Sequence, residues 1–447
     1  MKLHRIARQF PVSQILRAIV AAAVLGNTQA TSVIAAEDKT NQPYVSDVEF
    51  LVAELPQLAG RFFALKNIDW LAVGEEFTAE AKTVQTDEQY LKLCTRLVAR
   101  LRDGHAGIVA TKIKWPDESQ GRRWTGPRVH LLTIGDDFFV RAAFGEAETL
   151  GLKPGLRVER IDGKSAHEWL KAKSEEMADL RGFSTDQQAL YAACHSGLAD
   201  WEGTPIVFDV INAEGKAQHI EMTRNGGPNY APLGPVFPPK NVKSLERNLY
   251  GKTESGLAYI HLRNIPGGLE KQLDTMLAEI GDAPGLILDL RGNSGGGCDH
   301  TAVFGRFVPR GSRWRQYPSS GPNPYAGPMV VILDAGVASA GETVGGMFKE
   351  DGRAYAIGDS ATAGMSSSKK TLTVPSGLIT VRVSVFSNKA RFNGGRGIEG
   401  IGVPPNEVVP YDAKELARGI DTEIRRAEEL LRGGFPEGAV PYVPPGP

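Results

Sequence analysis

Ser339 closes the segment Val337-Ala338-Ser339, shortly after the apolar run Met329-Val330-Val331-Ile332-Leu333, and Ala340-Gly341-Glu342 opens a helical pattern. A hydroxyl at a strand-to-helix junction lies beside the first unpaired helix N–H groups, which stabilise negative charge developing on an attacked carbonyl. The chemistry served by such a position is nucleophilic acyl transfer. The same residues, Ser339 through Glu342, equally fit a capping box, with Ser339 as N-cap and Glu342 at N3.

A second segment, Leu286-Ile287-Leu288-Asp289-Leu290-Arg291-Gly292-Asn293-Ser294-Gly295-Gly296-Gly297, is an apolar strand that breaks into consecutive glycines. Glycines admit close approach of another group to the backbone. Acyl transfer needs two N–H donors aimed at one oxyanion, and the expected pair is Gly295 and Ala340. Gly296 and Gly364 are expected beside the substrate. As a phosphate cradle the turn lacks the Lys-Ser/Thr ending of a P-loop.

A serine needs a base. His105 is the best of the eight histidines because it follows a helical pattern with Gly104 as its expected stop, which leaves it at the mouth of a loop. His130, His167, His195, His219 and His261 read as surface or strand residues, and His4 lies in a leader. Cys298 and His300 suggest thiol chemistry, but a thiol and an imidazole two residues apart on one short segment seldom align.

The elements that must position these residues follow from periodicity. Phe50, Leu51, Leu55, Leu58 and Phe62, then Tyr90, Leu93, Leu97, Val98 and Leu101, recur at helical spacing and predict a helical cap over 45–120. Short β-rich runs follow over 126–225, with a helical insertion around 168–196. There, Gly151-Leu-Lys-Pro-Gly155-Leu-Arg-Val158 and the Ile161-Asp162-Gly163-Lys164 hairpin resemble the PDZ-domain pattern; the competing reading is a generic Asp-Gly hairpin. Strands alternating with helices over 240–432 predict an α/β domain, ending in one amphipathic helix over 413–432 and a disordered tail over 433–447.

The chain has 447 residues and near-balanced charge, 51 basic against 52 acidic side chains, which gives no electrostatic hold on nucleic acid. Lys2, Arg5, Arg8 and Arg17 precede an apolar run, Ala18 to Leu25, followed by small residues at Ala30, Ala35 and Ala36. That layout predicts a signal peptide over 1–36, and hence a periplasmic or extracellular protein with no stable membrane insertion. Three cysteines permit one disulfide at most. No CxxC pair or His-x-x-x-His supports a metal site, and no cofactor is expected.

The ordered series Asp103-Gly104-His105, the PDZ-like 151–164, Leu288-Asp-Leu-Arg-Gly-Asn293, Ala338-Ser-Ala-Gly-Glu342, Gly358-Asp-Ser-Ala-Thr-Ala-Gly364 and Glu399-Gly-Ile-Gly-Val403 resembles the C-terminal-processing and tricorn-type serine peptidase family. The resemblance implies a ClpP/crotonase-like α/β fold and cleavage of peptides or unfolded proteins. Of the family's two branches, the Ser–Lys one is disfavoured, because its lysine position is Gly364 here. Lys369 and Lys370 are displaced. The tricorn-like branch assigns His105 as base and Glu399 as the acid that orders it. That branch places a serine before the histidine, and this chain has Gly104. The link to Glu399 then runs through a water or a hydroxyl from another loop, or Glu399 only braces its own loop. The competing functions are a catalytically inactive peptide- or ligand-binding scaffold and a small-ester hydrolase.

Overall fold

The first described helices are built on the predicted stripe. The computed structural model describes residues 42–226, 234–365, 367–387 and 391–439, so the expected signal peptide and the end of the tail lie outside it. Helices α1 (Gln42–Ala59), α2 (Trp70–Ala81) and α3 (Asp87–Ala99) bury Leu51, Leu55, Phe77, Tyr90, Leu93 and Leu97 against one another. The Thr86 side chain caps α3 by accepting from Gln89 N–H. The chain reverses at Arg102, whose φ is 46°, rather than at the expected Gly104. Gly104 is needed for room instead: a Cβ there would stand 2.9 Å from Gln188 Nε2 and 2.9 Å from Met365 Sδ.

Strand β1 (Gly107–Ala110) leads to an antiparallel sheet of β2 (Val129–Ile134), β3 (Asp137–Ala143), β4 (Arg157–Ile161), β5 (Pro205–Ile211) and β6 (Ala217–Thr223), in that spatial order. Between β4 and β5 come α4 (Ala166–Leu180) and α5 (Asp186–Cys194), which fall where the helical insertion is expected. The loop joining these two helices carries Ser184 and reaches the candidate site.

The third unit is a seven-stranded sheet ordered β7 (Lys243–Leu245), β8 (Asn248–Lys252), β9 (Ala258–His261), β10 (Leu286–Asp289), β11 (Met329–Leu333), β12 (Tyr355–Gly358) and β15 (Glu407–Val408). From β9 onward the pairs are parallel, as short strands linked by helices dictate. One face is covered by α6 (Leu269–Ile280) and α7 (Ala340–Glu350). The other is covered by α8 (Thr422–Gly433), through Ile424, Ala427 and Leu430. The long helix expected over 413–432 is broken: Gly419 takes φ 75° and Asp421 starts a new helix by accepting from Ile424 N–H. A hairpin of β13 (Ser367–Thr373) and β14 (Ile379–Ser387) leaves this unit and pairs with β1, so it ties the helices at the start of the chain to the α/β unit.

Arg291, at the end of β10, is fully buried. It donates to Asp289 at 2.6 Å, Glu423 at 2.7 Å, Asp421 at 2.9 Å and the Tyr411 hydroxyl at 2.7 Å. A buried guanidinium with several acceptors is satisfied, and here it pins the start of α8 to the sheet.

Candidate active site

Strand β11 ends at Leu333, and Ser339 sits immediately before α7 with φ 56° and ψ −122°. For a residue with a Cβ this is a sparsely populated conformation, held here by its surroundings. Ser339 and Glu342 form the expected capping box, with Ser339 N–H donating to Glu342 Oε2 at 3.0 Å. The Ser339 hydroxyl stands 3.1 Å from His105 Nε2. Glu342 is fully buried and also accepts from Thr362 Oγ1 at 2.6 Å, Gly364 N–H at 2.7 Å and Met365 N–H at 2.9 Å. Burial pushes its carboxyl up to about 8 against these donors.

His105 is buried on the loop after α3. Asp103 shapes that loop, accepting from His105 N–H at 2.9 Å and from Ser384 N–H and Oγ. Burial lowers the imidazole to about 4, and the nearby cations Lys369, Arg382 and Lys66 add to the shift against the opposing Asp103. The ring is therefore neutral near pH 7, and a neutral ring with Nε2 as acceptor carries its proton on Nδ1.

Glu399 is fully buried behind His105. Its Oε1 accepts from Lys66 Nζ at 2.7 Å and from the Ser184 hydroxyl at 2.9 Å. Ser184 in turn accepts from Gly104 N–H at 2.9 Å. A hydroxyl from another loop thus joins Glu399 to the backbone of the residue before His105. His105 Nδ1 and Glu399 Oε2 have no hydrogen-bond partner among the described residues. Burial raises the Glu399 carboxyl, Lys66 opposes that rise, and Asp103 adds to it.

Asp103, His105 and Glu399 offer donor atoms within 4.8 Å of one another, the spacing of a small metal site. The arrangement suits a protein cation better, since Lys66 Nζ already neutralises Glu399 and the Asp103 oxygens accept three protein donors.

The glycine turn lies where it was expected, but with a different assignment of amides. A Cβ on Gly295, at φ 78°, would fall 2.7 Å from Ser339 Cβ and 2.8 Å from Ala338 O, so the turn touches the serine directly. Gly295 N–H, however, donates to Asn293 Oδ1 at 2.8 Å and is not a free oxyanion donor. Exposed Gly296 is the next residue of the turn. Ala340 is the first residue of α7, and its N–H has no acceptor within the helix. Gly364 is tied on both sides: its N–H donates to Glu342 at 2.7 Å, and its carbonyl accepts from Gly400 N–H.

Residues 256–409 match the model of peptidase family S41. The α/β domain belongs to that family. The S41 segment contains Ser339, Gly295 and Glu399, and it stops short of His105. A carboxyl-terminal-processing protease of Synechocystis sp. is 28% identical over 307 residues, covering 64% of this chain and 63% of the relative. Tricorn protease homolog 1 of Streptomyces coelicolor is 27% identical over 246 residues, 51% of this chain and 22% of the relative. The chain thus spans less than two thirds of each relative's length. Mature CPAF shares the fold, with TM-score 0.63 and 12% identity over 90% of this chain and 100% of that one.

Sequence reasoning missed Lys66 and Ser184. Lys66 had a signal: it continues the buried series Leu51, Leu55, Ala59, Phe62 at helical spacing, so a charge lands on the core face. Ser184 had none. Its loop is placed by tertiary contact, with Gly182 so close to Asp103 that a Cβ would lie 2.7 Å from the Asp103 backbone.

Proposed function

We propose that this protein is an exported serine-type peptidase that cleaves peptides or unfolded proteins through an acyl-enzyme. The observation that carries the reading is the 3.1 Å approach of the Ser339 hydroxyl to neutral His105 Nε2, at a strained strand-to-helix junction of an S41 domain. His105 Nε2 takes the Ser339 proton as Oγ attacks the peptide carbonyl. Ala340 N–H and Gly296 N–H hold the oxyanion. His105 then protonates the leaving amine, and water enters by the same route in reverse to release the acyl group. His105 Nδ1–H is oriented toward Glu399 Oε2, which stabilises the imidazolium as it forms. The likeness to a carboxyl-terminal-processing protease supports a peptide substrate.

The finer architecture belongs to the same proposal: a ClpP/crotonase-like catalytic domain over 240–432, a helical cap over 45–120 and a PDZ-like unit over 126–225 that takes up a peptide as an added strand. Export follows from the leader-like residues 1–36; among the described residues, no helix is long and apolar enough to cross a membrane.

Labelling of the full chain by a fluorophosphonate probe tests the reading. Ser339 is expected to label, Ser339→Ala to abolish the label and His105→Ala to slow it. An unlabelled wild-type protein, or a label indifferent to His105→Ala, leaves a binding scaffold as the better account.

A further inference from the structure

The Lys66 ammonium is buried between two loops that the proposed chemistry needs. Its Nζ donates to Glu399 Oε1 at 2.7 Å and to the Arg102 carbonyl at 2.7 Å, with the side chains of Lys66 and Glu399 2% and 0% exposed. Arg102 lies three residues before His105, and its Nη1 donates back to the Lys66 carbonyl at 2.9 Å. One ammonium therefore bridges the loop of the base and the loop of the acid. The lysine stem is also fixed: its Nζ lies 5.2 Å from the centre of the Phe62 ring, and a Cβ on Gly400 would stand 3.1 Å from Lys66 Cε.

Taking an ammonium out of water is costly, and an amphipathic helix normally turns a lysine outward. Here it lies on the core face of the N-terminal helices, bonded to Glu399, one of the two carboxylates next to His105. The charged groups around that carboxylate are Lys66, Asp103 and, behind it, Glu342; those around His105 are Lys369, Asp103, Arg382 and Lys66. With Oε1 fixed by Lys66 and Ser184, Oε2 is the oxygen left to face the imidazole. Both it and His105 Nδ1 lack other partners among the described residues.

We propose that Lys66 is a positioning residue for the reaction: by holding Glu399 Oε1 and the Arg102 carbonyl together, it turns Glu399 Oε2 toward His105 Nδ1. The proposal rests on the peptidase reading above. It makes docking of the N-terminal helices a condition for turnover.

The test is a double-mutant cycle on the full chain, read by the rate of fluorophosphonate labelling across pH and by kcat and KM on fluorescein-labelled casein. Lys66→Met should slow labelling about 10–100-fold, the range for outer partners of a reactive group, with the loss in kcat rather than KM. Its rate-against-pH profile should shift, and Lys66→Arg should recover part of the rate. In a Glu399→Gln background, Lys66→Met should change the rate by no more than about twofold, because the lysine acts through that carboxylate. Equal losses in both backgrounds, or a folded Lys66→Met protein with wild-type rate and pH profile, would overturn the proposal. If Lys66→Met does not fold, the uncharged pair Lys66→Gln with Glu399→Gln replaces it: slow labelling supports the proposal, and a wild-type rate overturns it. Failure of the underlying peptidase reading appears separately, as wild-type protein that does not label at Ser339.

Discussion

The Ser184 hydroxyl stands 2.9 Å from Glu399 Oε1, across 215 residues of sequence. It bonds Gly104 N–H as well, so Glu399 and the residue before His105 share one hydroxyl. Ser184→Ala should leave that amide unsatisfied and remove a bond to a charged group, a loss of about 1.5 kcal/mol or more. Since 1.36 kcal/mol is a factor of ten, labelling of Ser339 should slow about tenfold. A wild-type labelling rate in the variant would show that the hydroxyl is only structural.

His105→Ala should lower turnover by about 10²–10⁴-fold, the usual contribution of a positioned base. Near-wild-type circular dichroism should accompany the loss. Casein hydrolysis by the purified variant checks both points.

The depressed imidazole sets the pH dependence. His105 titrates at about 4 in the folded chain, so kcat/KM should rise through about pH 4 and already be level at 6.5, where an unperturbed imidazole would be half protonated. The folded state binds this proton less readily than the unfolded one. The contribution of His105 to stability is therefore present above about pH 6.5 and fades as pH falls toward 4. A kcat/KM profile with its acidic limb at 6.5 or above would contradict this environment.

Gly295→Ala places a methyl 2.7 Å from Ser339 Cβ at a backbone angle of 78°. The strain of that angle costs about 1–2 kcal/mol, and displacing the serine from its donors should cost about 100-fold or more in labelling. Thermal unfolding and probe labelling of the same sample separate the two effects.

Arg291→Met tests the scaffold rather than the chemistry. It leaves Asp289, Asp421 and Glu423 buried without their cation, so stability should fall by about 3–5 kcal/mol, visible as a lower denaturation midpoint. A midpoint equal to wild type would mean that these carboxyls are held neutral without it.

The parts of the site that were legible in sequence carry their information locally. Ser339 follows an apolar strand and precedes a helix, and the Asp103-Gly104-His105 turn follows a regular helical stripe; both motifs lie where they were expected. What was not legible depends on contact between distant segments. Gly104 reads as a helix stop, whereas Arg102 makes the turn and Gly104 yields space to Gln188 and Met365. Gly295 reads as an amide donor, but the Asn293 side chain two residues away takes that amide. The uniform stripe over 413–432 hid a break, because Gly419 and the capping Asp421 outweigh periodicity.

The α/β unit carries Ser339 and Glu399, but His105, Lys66 and Ser184 all precede its first strand. During synthesis from the N-terminus, Lys66, His105 and Ser184 emerge before Ser339, and Glu399 comes last. A ribosome-bound fragment that ends before residue 399 lacks the full set, whatever it has already folded. The order of the chain therefore delays assembly of the complete constellation until residue 399 has been made.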